Sequence, residues 1–187
     1  MANDINFFKT KDSIFLKKIS SKKEINQKDD SDGYLIDSSE KEARRIIDSL
    51  KGKKKIIAFS GGEDALNRRA IETLKINYLV SPEKGQKKDT LKQRDSGLNH
   101  VVAREASKKK ISIVIDFNEI SKLKGKEKAI RLEKLIQNIK ICKKAKCSIK
   151  IASFAGNKEE LVDELSRKSL GTSLGMSSEQ TRDGIEF

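Results

Sequence analysis

The chain has 187 residues, with 41 Lys and Arg against 28 Asp and Glu, a formal net charge of +13, and one histidine. This balance favours a polyanionic partner, although a lysine-rich skew can also come from genome composition or a high growth temperature. No apolar run reaches membrane-spanning length and the first residues lack a secretory pattern, so a cytoplasmic protein with no membrane partner is expected.

Strand and helix signals alternate along the chain. Residues 14–19 and 34–36 are candidate strands, separated by a polar segment, 22–32, whose composition predicts flexibility. Ser39 followed by Glu42 makes a capping box that opens a helix to about Leu50. Residues 55–59 form a short apolar strand stopped by Gly61-Gly62; residues 66–74 return as an amphipathic helix, and 78–80 are the next strand. Ser96 is a suitable N-cap, with Asp95 beside it at the positive end of the dipole, for a helix over 98–106 that leads into a strand over 111–115. Leu132, Leu135, Ile136, Ile139 and Cys142 recur at helical spacing along a long charged segment. A strand over 147–152 follows, and Asn157 with Glu160 caps a helix carrying Leu161, Val162 and Leu165. Alternating strands and helices predict parallel βαβ units, with strands apolar enough to be buried on both faces. The order alone does not separate a closed barrel from an open doubly wound sheet.

The chemistry-bearing residues are few. Cys142 and Cys147 are the only cysteines, too few for a metal cluster, and read as reduced, non-catalytic thiols. His100 and Arg104 fall one turn apart, opposite an apolar stripe of Leu98, Val101, Val102 and Ala106, so they face solvent or an RNA or protein partner. Gly61-Gly62 lies between a strand and a helix, where a glycine pair could cradle a phosphate but more often makes a tight turn. Ser153 follows a strand, where barrel active sites lie, without a base in view to activate it. Lysines 53–55, 108–110, 143, 144 and 146 each sit after a helix and before a strand, where cations complement the helix dipole. Lys84, Lys87, Lys88, Lys92 and Arg94 lie instead in a long loop after a strand, with Leu91 as its one apolar anchor. That loop is the candidate RNA-binding segment, recognising phosphates and shape rather than base sequence.

Residues 92–106, Lys-Gln-Arg-Asp-Ser-Gly-Leu-Asn-His-Val-Val-Ala-Arg-Glu-Ala, resemble the signature of archaeal ribonuclease P protein component 3, with Asp95, Ser96 and Gly97 as the family motif. Gly61-Gly62 with 66–72, residues 78–83, residues 138–144 with 149–153, and residues 182–187 are similar to further segments of that family, in order; the last resembles its closing strand. The family is the counterpart of the thirty-kilodalton subunit of eukaryotic ribonuclease P. The resemblance implies a TIM-barrel-like parallel α/β fold of the polymerase and histidinol phosphatase kind, over a single domain of residues 1–187. Residues 1–38 match poorly, so a trimmed or irregular N-terminal third is expected, with 82–96 as a basic loop. It further implies a protein subunit supporting RNA-catalysed removal of the 5′ leader from precursor tRNA. Its partners would be the ribonuclease P RNA, precursor tRNA, component 2 and other protein subunits. On this account the polypeptide has no catalytic or metal-binding residues and binds no cofactor, magnesium being held by the RNA. Hydrolases of the superfamily use several histidines, and one histidine cannot assemble that site. The alternatives are a metal-dependent phosphoesterase of the related barrel superfamily and a general basic RNA-binding protein.

Overall fold

The computed structural model describes residues 3–26, 29–85 and 95–187. Its strands are β1 (Asp4–Asn6), β2 (Ser13–Ile19), β3 (Gly33–Ile36), β4 (Ile56–Ser60), β5 (Tyr78–Val80), β6 (Ser112–Asp116) and β7 (Ile149–Ala152). The helices are α1 (Glu40–Ser49), α2 (Asp64–Thr73), α3 (His100–Lys108), α4 (Phe117–Lys122), α5 (Gly125–Ala145), α6 (Glu164–Ser173) and α7 (Ser178–Asp183). Each strand pairs in parallel with the next, in the order β1 to β7. A doubly wound sheet would reverse that order at a switch point. The chain instead forms a nearly closed TIM-barrel-like α/β barrel.

Two apolar clusters follow from strand alternation. Ile5, Leu16, Leu35, Ala58, Val80 and Val114 fill the barrel interior. Ile36, Phe59, Leu79, Ile113 and Ile115 point outward and meet Ile46, Ile71, Ala103, Leu135 and Ile139 of the surrounding helices. Leu135, Ile139 and Cys142 of the expected stripe are fully covered, while Leu132 and Ile136 pack at its margin. Cys142 and Cys147 are both free and buried.

The barrel closes at a seam between β1 and β7, and β1 was not legible in the sequence because two of its three residues are polar. Those polar residues make the seam. The Phe154 amide donates to Ile5 O at 2.8 Å and the Phe7 amide to Ala155 O at 2.8 Å. The Asp4 carboxylate accepts the Ser153 amide at 2.8 Å, and Asn6 Oδ1 accepts that of Ala155 at 3.1 Å. Side chains thus complete a ladder that the short strand cannot complete with its backbone. Arg167 of α6, itself buried, sits 3.4 Å from Asp4 and donates to Ile151 O.

Several local expectations are corrected. Ser39 accepts the Glu42 amide as an N-cap, but the Glu42 carboxylate takes the Lys22 amide and Arg45 instead of closing the box. Asn157 caps one 3-10 turn, Lys158–Glu160; α6 starts later, capped by Asp163, leaving Leu161 and Leu165 exposed. Residues 182–187 form no strand: α7 ends at Asp183, and the Gly184 carbonyl accepts the Ile151 amide. The polar segment 22–32 is anchored where it is described, since Asp29 accepts from Lys17 at 2.5 Å and from Ser31.

Breaking a buried pair leaves an uncompensated charge, so Arg167→Met should cost about 3–5 kcal/mol in urea unfolding. Hydrogen exchange should show the loss first at the Phe7 and Phe154 amides, which close the seam.

Candidate nucleic-acid interface

The segments that carry the family resemblance meet at one buried place. Asn67, fully covered on α2, accepts the Gly62 amide at 2.8 Å. Its Nδ2 donates to the carbonyls of Gly62 and Pro82 at 2.9 Å and of Gly97 at 3.0 Å. Asn138 of α5 donates to the Ser96 carbonyl at 2.8 Å. Gly97 lies at φ +78°, and a Cβ there would stand 1.9 Å from the Pro82 carbonyl oxygen, so only glycine fits. Gly61-Gly62 is therefore a tight turn whose second amide is already used.

The motif residues Asp95, Ser96 and Gly97 are thereby placed in packing. Ser96 is buried and is not the N-cap; α3 starts at His100, capped by Asn99, whose Oδ1 accepts the amides of Val101 and Val102. Asp95 accepts the Gly97 amide. The buried face is turned relative to the expected stripe: Val102, Ala103 and Ala106 are buried, whereas Val101 is 72% exposed. His100 and Arg104 remain exposed on one face, with Lys108 one turn further on.

Lys84 is drawn inward, pairing with Glu119 at 2.7 Å. Lys87, Lys88, Lys92 and Arg94 lie outside the described residues. Among the described residues Arg104, Lys108, Lys140, Lys143 and Lys144 are exposed and in no ion pair, on the adjacent helices α3 and α5. Sequence periodicity located Arg104 but not this grouping, which depends on α3 packing against α5. The helix-end lysines behave differently. Lys109 donates to the Ile71 and Glu72 carbonyls at the end of α2, and Lys55 to the Asp29 and Ser31 carbonyls. Lys146 takes a left-handed C-cap position at φ 53°.

At the C-terminal end of the strands a group of carboxylates is enclosed. Glu83 is 2% exposed, and neither of its oxygens has a hydrogen-bond partner. Arg131 lies 3.7 Å from Glu83 and 3.1 Å from Glu119. Burial pushes the Glu83 carboxyl up to about 7 and that of Asp116 up to about 6. A hydrolase-type metal centre needs histidines beside such carboxylates. His100 is exposed on α3, outside the lining of the barrel mouth, and among the described residues no group of three or more His, Cys, Asp or Glu is placed to hold a metal. The residues present do not fit such a centre. Ser153 also has a structural place: its hydroxyl accepts the Val162 amide, and its own amide goes to Asp4.

No family model matches the chain. A stretch of 123 residues is 32% identical to ribonuclease P protein component 3 of Methanocaldococcus jannaschii, covering 66% of this chain and 50% of that protein. Component 3 of Methanothermobacter thermautotrophicus is 25% identical over 154 residues, 82% of this chain and 60% of that one. The chain is a relative of ribonuclease P protein component 3. It spans about half the length of the curated component 3 proteins it matches. A chain of the cryo-EM structure of archaeal ribonuclease P with mature tRNA superposes with a TM-score of 0.68 at 22% identity, over 92% of this chain and 82% of that one. An amidohydrolase crystal structure superposes with a TM-score of 0.59 at 12% identity, over 83% of this chain and 41% of that one. At these identities both show the barrel fold. Among the described residues no helix is long and apolar enough to cross a membrane.

The buried Glu83 of this component 3 relative gives a pH prediction. A carboxyl raised on folding is neutral in both states below its ordinary value near 4.5, and it progressively destabilises the fold as pH rises from there to about 7. Glu83→Gln should therefore raise the melting temperature at pH 8 and change it little at pH 4.5, by on the order of 2–3 kcal/mol at the high end. A melting series across pH checks the sign.

Proposed function

We propose that the protein is a subunit of ribonuclease P, supporting RNA-catalysed removal of the 5′ leader from precursor tRNA. The observation that carries this is the 32% identity to component 3, joined to a face of exposed, unpaired cations on α3 and α5. Phosphate neutralisation by such cations releases counterions and stabilises folded RNA, which requires no catalytic group from the protein. The partners on this account are the ribonuclease P RNA, precursor tRNA, component 2 and other protein subunits, in the cytoplasm. Magnesium is held by the RNA. His100 and Arg104 contribute to the RNA-binding face, and Lys87, Lys88, Lys92 and Arg94 are further RNA-binding residues. Lys84 takes a supporting role through Glu119, and Asp95, Ser96 and Gly97 position the segment rather than touching RNA.

Reconstituted particles with and without the protein should differ in precursor tRNA cleavage, while the protein alone should not cleave; cleavage at the mature 5′ end by the protein alone would overturn the proposal. Replacing Arg104 and Lys108 with glutamine should weaken RNA binding and flatten its log–log salt dependence by roughly one unit per contact, with melting unchanged. Lys109→Gln should do the opposite, lowering the melting temperature through the lost α2 cap and leaving the salt slope alone.

A further inference from the structure

We infer that the C-terminal mouth of the barrel is a binding site for a single nucleobase, an inference that stands on the cavity and goes beyond the ribonuclease P proposal. Barrel interiors of this kind are ordinarily filled by successive layers of side chains. Here Leu16, Leu35, Ala58, Val80 and Val114 fill the middle. The layer above them, from Lys18, Ser60, Asp116 and Phe154, leaves a cavity of about 330 Å³. That size lies at the low end of small-ligand pockets, roughly 300–1,000 Å³.

The lining suits a flat, neutral, polar heterocycle. Phe7, partly exposed in the wall, offers aromatic surface on which a base can stack, and the buried Phe154 ring backs it, centres 5.5 Å apart. Asp116 uses Oδ1 to cap α4, leaving its second oxygen for a ligand donor, and the Ser60 hydroxyl has no side-chain hydrogen bond among the described residues. The three cations at the mouth are each neutralised: Lys18 by Asp37 at 2.7 Å, Lys84 by Glu119 at 2.7 Å and Lys122 by Glu160 at 2.8 Å. That pairing disfavours a bare phosphate and leaves recognition to stacking and hydrogen bonds. Backbone strain gives an independent sign. Phe154 is held at φ 49°, a left-handed conformation that costs a bulky residue of order 1–3 kcal/mol and that concentrates at ligand clamps. Of the other described non-glycine residues with positive φ, Lys110 and Lys146 are at helix ends, and Ser81 ends β5 beside the same mouth.

The base can come from a free nucleoside or from an unstacked residue of an RNA strand. Titrating the full chain with adenosine, uridine and, separately, inorganic phosphate, followed by NMR, should shift the amides of Ser60, Asp116 and Gly156 for the nucleosides and not for phosphate. Ser60→Leu fills the cavity from a strand. Gly156→Phe fills it from a loop, where a Cβ would meet only the Glu160 carboxylate, at 3.3 Å. Since stacking one base is worth about 1–3 kcal/mol, either variant should weaken nucleoside binding about tenfold or more without lowering the melting temperature. A short single-stranded RNA whose affinity also falls in the filled variants identifies an RNA base as the occupant; unchanged RNA affinity identifies a free nucleoside. Absent nucleoside shifts, equal shifts with phosphate, or nucleoside binding indifferent to both fillings would each overturn the inference. If both variants unfold, the location of the wild-type shifts decides alone.

Discussion

One buried carboxamide sets where the loops of this barrel meet. Asn67 reaches three carbonyls and one amide, from Gly62, Pro82 and Gly97. These belong to two connections separated by the whole of β5 and by α2 itself. Its two amide hydrogens serve three acceptors, so at least one is shared, and the arrangement holds only if the backbone comes very close. Gly97 permits that approach because any side chain would occupy the Pro82 carbonyl. Removing such a hub would strand several buried polar groups at once, each at roughly 1–3 kcal/mol. α3 inherits its start from this knot: once Gly97 is fixed, Asn99 and not Ser96 stands at the helix entrance.

What the sequence displayed and what it hid divide along physical lines. The outer strand residues and the α5 stripe were legible because burial in a parallel barrel demands long apolar repeats, and β4 to β7 fall within a residue or two of their expected bounds. β1 was hidden because Asp4 and Asn6 use side chains to bond across the seam, and such residues look like loop. α4 was hidden because six residues capped by Asp116 show little periodicity. The Asp-Ser-Gly motif was visible as a motif, but its role was not: Asp95 and Ser96 have the chemistry of a surface site and the positions of a packed turn. The carboxylates enclosed near the mouth gave no sequence signal at all. Glu83, Asp116 and Glu119 come from two different connections, and only the closure of the sheet gathers them.

The charge inventory also sorts by place. Many cations on the helices are neutralised within the fold, as in Arg44 with Glu40, Arg68 with Glu72 and Lys168 with Glu164, each one turn apart. The mouth cations are paired across elements. An excess of +13 therefore has to reside elsewhere, and part of it is on α3 and α5. Net charge by itself could not say this, since lysines at helix ends such as Lys109 count in the total while serving the backbone.

The unpaired ladder on α3 carries a consequence for both stability and affinity. Arg104 and Lys108 are one turn apart and in no ion pair among the described residues, since the neighbouring acid, Glu105, is engaged by Lys109 at 3.5 Å, and like charges at that spacing repel by a few tenths of a kcal/mol. Lys108 recovers some of this from the dipole at the end of α3, whereas Arg104, in the middle, does not. The repulsion is a cost of the free protein that a phosphate chain removes on arrival, so part of any affinity for a polyanion is the relief of strain already present. Salt acts on both terms in the same direction, with a Debye length of about 8 Å at physiological ionic strength: it eases the repulsion in the free protein and weakens the attraction in the complex. On α1, α2 and α6, by contrast, acid and base are paired one turn apart, so an incoming polyanion would find no such repulsion to relieve there.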